Sequence, residues 1–229
     1  LERNPANFQP LTPLTFLERA ASVYPEHTAI IHGKLKRSYS DFYSRSLRLA
    51  SALSSQGIKR GDTVSAILSN TPAMLEAHYG VPMCGAVLHS INTRLDPDTI
   101  AYQLDHSDAK ALIVDREFLD AVKISLELSE ASPILIDYND SEYPVLDSLP
   151  EAIEYEAFLL QGDTNYEWLM PEDEWDAISL NYTSGTTGNP KGVVSHHRGA
   201  YLLAQGNAMI ASIKKHSVYL WTLPMFHCN

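Results

Sequence analysis

Short apolar strands alternate with amphipathic helices along most of this chain, which predicts an α/β fold of mostly parallel sheets covered by helices. Two observations carry that expectation. Runs rich in β-branched residues recur at 63–68, 85–89, 110–114 and 133–137. The stretches between them open on helix-start signals, with Pro72 and Pro97 at first-turn positions.

Each element has a local reason. A first helix is expected over 14–24, with Thr15 and Glu18 as a capping box, Phe16, Ala20 and Val23 on one face, and Pro25 as the stop. A hairpin over 28–39 turns around Gly33 and Lys34. Ser40 then caps a helix whose Leu47, Ala50 and Leu53 line one side before Gly57 ends it. Helices over 72–83, 97–106 and 117–128 follow their strands, with right-handed crossovers. From 138 to 175 the chain turns acidic and loses periodicity, with Pro144, Pro150 and Pro171 and one helix around 149–160. This reads as a solvated surface connection between two subdomains. Beyond it lie strands at 177–182 and 192–195, a helix over 198–213 and a strand at 218–222.

Composition narrows the function classes. The chain has 229 residues, 45% hydrophobic and 20% charged, as expected of a globular protein. A net charge of −11 and a pI near 5.2 argue against a nucleic-acid partner or an anionic membrane surface. They do not argue against a nucleotide, because one cationic loop outweighs the global sign within a Debye length of about 8 Å. Two cysteines, Cys84 and Cys228, favour a reduced compartment. No run reaches the length of a membrane span, and the polar start reads as no signal peptide, so the cytoplasm is the default expectation.

The most informative segment is Tyr182-Thr-Ser-Gly-Thr-Thr-Gly-Asn-Pro-Lys-Gly-Val193. Gly185 and Gly188 let the backbone approach a ligand and turn its N–H groups into an anion-binding nest. Thr183, Ser184, Thr186 and Thr187 add hydroxyls, and Lys191 adds a positive charge. Asn189 and Pro190 shape the turn. The chemistry suggested is the cradling of a polyphosphate. A P-loop fails here, because the glycines stand too close and Gly192, not Ser or Thr, follows the lysine. The flanking runs also predict strand–loop–strand, whereas a P-loop runs directly into a helix. No Gly-x-Ser-x-Gly elbow supports a hydrolase. His196 and His197 are adjacent, point apart and lack ligand-spaced partners, so a structural role is expected. Arg198 either meets phosphate or caps surrounding structure.

Residues 182–193 resemble the phosphate-loop signature of the adenylate-forming enzymes, which include acyl-CoA synthetases, luciferases and peptide-synthetase adenylation domains. The segment Leu223-Pro-Met-Phe-His-Cys-Asn229 resembles that family's next motif. The resemblance spans residues 1–229 as the front part of a family member. It implies part of the large N-terminal AMP-binding domain, with a subdomain connection near 138–175. Later family motifs, among them a lysine on a small C-terminal domain, do not occur in the sequence. The wording of both motifs is nearest to the short- and medium-chain fatty acyl or methylthiopropionate ligases.

The resemblance implies ATP-dependent activation of a small carboxylic acid to an acyl-adenylate, with release of pyrophosphate, then thioester formation with coenzyme A. A carrier-protein or oxygen acceptor, or a non-catalytic nucleotide-binding module, stays open, as does assembly into a homodimer. Thr183, Ser184, Gly185, Thr186, Thr187, Gly188 and Lys191 match the family's phosphate-binding positions. Thr183 is the candidate hydroxyl for Mg²⁺, and Lys191 and His227 are the candidate catalytic residues. His227 matches a histidine between the acyl pocket and the thiol entry route. Phe226 and Trp221 either line that pocket or belong to the core.

Overall fold

The computed structural model describes residues 1–183 and 189–227. Among them a seven-stranded sheet runs in the order β7-β6-β5-β3-β4-β8-β9. Its strands are β3 (Thr63–Ile67), β4 (Val87–Ser90), β5 (Ala109–Asp115), β6 (Ile134–Tyr138), β7 (Ile153–Glu154), β8 (Ala177–Tyr182) and β9 (Gly192–His196). Every pairing is parallel except that of β9 with β8. A separate hairpin joins β1 (Thr28–His32) to β2 (Leu35–Ser38).

From β3 the chain moves outward to β4, then returns across β3 to place β5 on the other side. The helices therefore divide between the faces. Helices α1 (Leu14–Val23), α2 (Tyr39–Ser55), α3 (Pro72–Met83) and α6 (Tyr155–Leu160) pack together over one face. Helices α4 (Pro97–His106) and α5 (Leu119–Leu128) pack together over the other. The side-chain alternation of a strand feeds both cores. Val64, Ala66, Ala111 and Ile113 join the first; Ile67, Leu112 and Val114 join the second. Helix α7 (His197–Ile210) follows β9. Reversal of strand order in a parallel sheet opens a crevice beyond the carboxyl ends of its strands.

Several local expectations are corrected. The first helix is capped at Pro13 without a side-chain hydrogen bond, so Thr15 and Glu18 form no capping box. Its buried residues are Leu14 and Leu17, while Val23 is exposed, because α1 turns that stripe toward α2 and α3. The cap of α2 is Ser38, in a reciprocal box with Asp41, and not Ser40. The stretch 138–175 is more than a solvated surface. It adds β7 to the sheet and α6 to the core, with Tyr155, Phe158 and Leu159 buried. Residues 218–222 form no strand, since a strand needs a neighbouring backbone to satisfy its polar groups.

One charge lies wholly inside the first core. Glu76 of α3 accepts from Arg45 of α2 at 2.6 and 3.2 Å and from the Tyr155 hydroxyl of α6 at 2.9 Å. Burial pushes its carboxyl up, while Arg45, Arg37 and Tyr155 pull against that push. Gly80 lets α3 approach α2, since a Cβ there would stand 2.9 Å from the Ser46 carbonyl oxygen. Removing one partner of a buried pair strands the other, so Glu76→Ala should cost about 3–5 kcal/mol in urea denaturation, and Tyr155→Phe about 1–2 kcal/mol.

Two histidines are buried without charge. His89 of β4 and His197 of α7 are each pulled down to about 4, chiefly by burial. The unfolded chain takes protons on both below its ordinary value of about 6.5, and the folded chain refuses them until about 4. Stability should therefore fall as pH drops through that window. Asp115, pushed up to about 6 by burial, acts oppositely, because its folded form holds a proton that the unfolded carboxylate releases. Each buried histidine removes up to about 1.4 kcal/mol per pH unit between about pH 6 and 4, and the raised carboxyls of Asp115 and Glu76 oppose that loss. In urea denaturation His89→Gln, which cannot take up the proton, should lose less stability than the parent chain between about pH 6 and 4.

Candidate active site

Strand β8 carries the first motif to the carboxyl edge of the sheet. It lies parallel to β4, with Leu88 opposite Ser179 and His89 opposite Leu180. Strand β9 returns antiparallel, with Tyr182 opposite Gly192. The strand–loop–strand expectation holds, and a strand stands where a P-loop would place a helix. The hairpin stem closes as Thr183 N–H donates to the Lys191 carbonyl at 3.0 Å. Lys191 N–H returns a long 3.4 Å bond to the Thr183 hydroxyl. Both residues are exposed. Ser184, Gly185, Thr186, Thr187 and Gly188 lie outside the described residues.

Alternation along β8 sends neighbouring side chains to opposite faces. Tyr182 turns toward α4, where its hydroxyl meets His106 Nδ1 at 2.7 Å. Burial pushes that phenol up to about 12, so its hydroxyl keeps its proton. Tyr102, one turn earlier on α4, donates to the Pro190 carbonyl at 3.4 Å. Beneath them the buried His89 ring joins α4 to the sheet. It meets Gln103 Oε1 at 3.3 Å through Nε2 and the Ser65 hydroxyl at 2.9 Å through Nδ1. A neutral ring satisfies both as donor at Nε2 and acceptor at Nδ1.

Asn181 turns to the other face and reaches the second motif. Its amide donates to the Phe226 carbonyl at 2.8 Å. Asn70, just beyond β3, grips the same segment from both directions. Its amide donates to the Leu223 carbonyl at 2.8 Å, and its oxygen accepts from Met225 N–H at 2.8 Å. Met225 and Phe226 are buried in the first core, so Phe226 is a core residue. Trp221 stays partly exposed, against Tyr219. His227 is exposed beside the Phe226 ring at a 4.4 Å centroid distance. A cleft of about 250 Å³ lies here, lined by Ser69, Asn70, Thr93, Arg94, Pro224 and Phe226 among others.

The structure thus joins the segments carrying Thr183, Lys191 and His227 at one edge of the sheet. Sequence reasoning missed Asn70, Asn181, Tyr102 and His106, which hold those segments. Only Asn181 adjoins the motif; the partners on α4 and after β3 carried no signal of their own.

Other candidates take structural roles. His197 is hydrogen-bonded to the Thr12 hydroxyl at 2.9 Å, and His196 caps α7 by accepting from Gly199 N–H. Arg198 is paired with Glu174 at 2.5 Å. Cys84 is a buried free thiol, and Cys228 lies outside the described residues. Among the described residues, no group of three or more His, Cys, Asp and Glu is arranged to hold a metal ion. The exposed Thr183 hydroxyl is a hard oxygen ligand, which fits Mg²⁺ carried mainly on phosphate oxygens. No helix among the described residues is long and apolar enough to cross a membrane.

The chain is similar to known proteins over its whole length. The chain is 49% identical over its whole length to the peroxisomal acetate/butyrate–CoA ligase AAE7 of Arabidopsis thaliana, of which it covers 42%. It is 47% identical, again over its whole length, to the acetate–CoA ligase CCL3 of Humulus lupulus, also covering 42%. The chain therefore spans less than half the length of these relatives. A crystal structure of a long-chain-fatty-acid–CoA ligase from Archaeoglobus fulgidus superposes with a TM-score of 0.79 over 96% of this chain and 43% of its own. At 20% identity that likeness shows the fold alone. The family model described as AMP-binding enzyme matches residues 17–229, which takes in the whole seven-stranded sheet and both motifs, and the chain belongs to that family.

Proposed function

We propose that this chain supplies the nucleotide-handling part of an acid–CoA ligase that activates a short-chain carboxylic acid. The carrying observation is the junction of the two motifs at the carboxyl edge of the sheet, where Asn181 of the first is hydrogen-bonded to Phe226 of the second. The names of the two relatives, with acetate and butyrate as acids, support the substrate class.

In this reading a carboxylate oxygen attacks the α-phosphorus of ATP, and the bond to the departing pyrophosphate breaks. The thiol of coenzyme A then attacks the acyl carbonyl, and AMP leaves. Negative charge grows on the phosphoryl oxygens, and donors fixed in advance stabilise it without the reorganisation that water requires. The hairpin supplies such donors: Ser184, Gly185, Thr186, Thr187 and Gly188 are assigned to the β- and γ-phosphates with Lys191. Thr183 would ligate Mg²⁺, which supplies positive charge to the phosphates when bound. His227 is assigned to the acid and the thiol route. Several relatives, AAE7 among them, are named as peroxisomal, so a peroxisomal address stands beside the cytoplasmic one.

The test is exchange of labelled pyrophosphate into ATP by the full-length gene product, across a panel of acids that includes acetate and butyrate, followed by thioester detection with coenzyme A. Exchange that no acid stimulates sinks the proposal; exchange without thioester points to another acceptor. Lys191→Ala should lower kcat/KM for adenylation about 10²-fold or more, the size seen when one charge-stabilising donor is lost. His227→Ala should act on the acid and thioester terms and leave the KM for ATP within about twofold. Residues 1–229 expressed alone should form no thioester, and robust thioester synthesis by them would refute that division of labour.

A further inference from the structure

We propose that α4 is a brace for the phosphate hairpin, with Tyr102 and His106 as positioning residues that fix where Thr183 and Lys191 stand. The proposal rests on the phosphate-binding role given above to that hairpin.

The hairpin projects beyond its support. Pairing of β8 with β4 ends at His89 and Leu180, and β9 is the edge strand. From Asn181 outward the two arms are paired to each other, with no further strand beside them among the described residues. Such a two-stranded extension twists and bends freely unless something holds it. Helix α4 meets both arms. His106 is hydrogen-bonded to the Tyr182 hydroxyl on the β8 arm at 2.7 Å, and Tyr102 donates to the Pro190 carbonyl on the β9 arm at 3.4 Å. Lys191 stands between Pro190 and Gly192, so a grip on Pro190 and on the Tyr182–Gly192 pair confines it from both sides.

The brace is itself anchored. Gln103, between the two gripping residues, meets the buried His89, which meets Ser65 in the middle of the sheet. The Tyr182 ring also lies 5.0 Å from the His89 ring, and the Tyr102 and His106 rings stack at 5.3 Å. A displacement of about 1 Å at a charge-stabilising group is enough to slow chemistry greatly. A fixed post beside an otherwise unsupported hairpin limits that displacement.

The hydroxyl of Tyr182 touches the brace and can be removed without disturbing the ring packing. In the full-length gene product, Tyr182→Phe should raise the KM for ATP in pyrophosphate exchange about three- to tenfold, the weight of one hydrogen bond. The KM for the acid and the melting temperature should stay unchanged. His106→Leu should do the same, and the double variant should be no worse than either single, because both delete one bond. His106→Asn, which keeps a hydrogen-bonding group at the same place, should restore the wild-type KM for ATP. The brace is overturned if the two single effects add in full, if the asparagine fails to rescue, or if the acid and ATP constants move together. Lys191→Ala runs beside them. A normal ATP response from that variant removes the phosphate reading itself, whereas a lost response with wild-type behaviour in Tyr182→Phe removes only the brace.

Discussion

The parallel pairing of β8 with β4 is the constraint on which the site depends. It is short, set by Leu88 against Ser179 and His89 against Leu180, yet it extends the sheet past the point where the chain could have stopped at β7. Because β3, β4 and β8 run the same way, whatever follows each of them emerges at one edge. Asn70 follows β3, Arg94 follows β4, and the glycine–hydroxyl segment follows β8. A one-residue slip in β8 would exchange Asn181 and Tyr182 between faces. The second motif would then lose its bond from Asn181, and the hairpin its contact with α4.

The buried histidines and the buried Glu76 carboxyl are each held by hydrogen-bond partners. His89 and His197 remain neutral and each spans two elements, which costs less than burying an imidazolium. Glu76 stays in the core through Arg45 and Tyr155, and so ties α6 to α2 and α3. That tie gives the region around 138–175 an architectural part. Its acidic surface hides a short stretch whose aromatic side chains complete the first core.

Much of the fold was legible because its elements carry strong local signals. The helices over 72–83 and 97–106 have the bounds expected from Pro72 and Pro97, and the central strands shift by only one or two residues. The failures share a cause. Ser38 and Ser40 are equivalent by composition, and the cap went to the residue whose chain direction, set by the β1–β2 hairpin, let Asp41 reach back. Phe16 and Leu17 are both apolar, and the position of α2 and α3 chose Leu17 for the core. Residues 218–222 have the composition of a strand, but composition supplies no partner backbone.

By itself the sequence determined the alternation of strand and helix, the chemistry of the segment 182–193 and the family to which it belongs. Glycine, hydroxyl and lysine have the same properties wherever the chain leads them. Only the tertiary structure decided which residues hold that chemistry in place. Asn70 is more than 150 positions from Met225, and Tyr102 is 88 positions from Pro190, yet each pair is hydrogen-bonded. Hydrogen bonds between such distant residues form only after the sheet has set strand order and register, and neither is written in any local pattern.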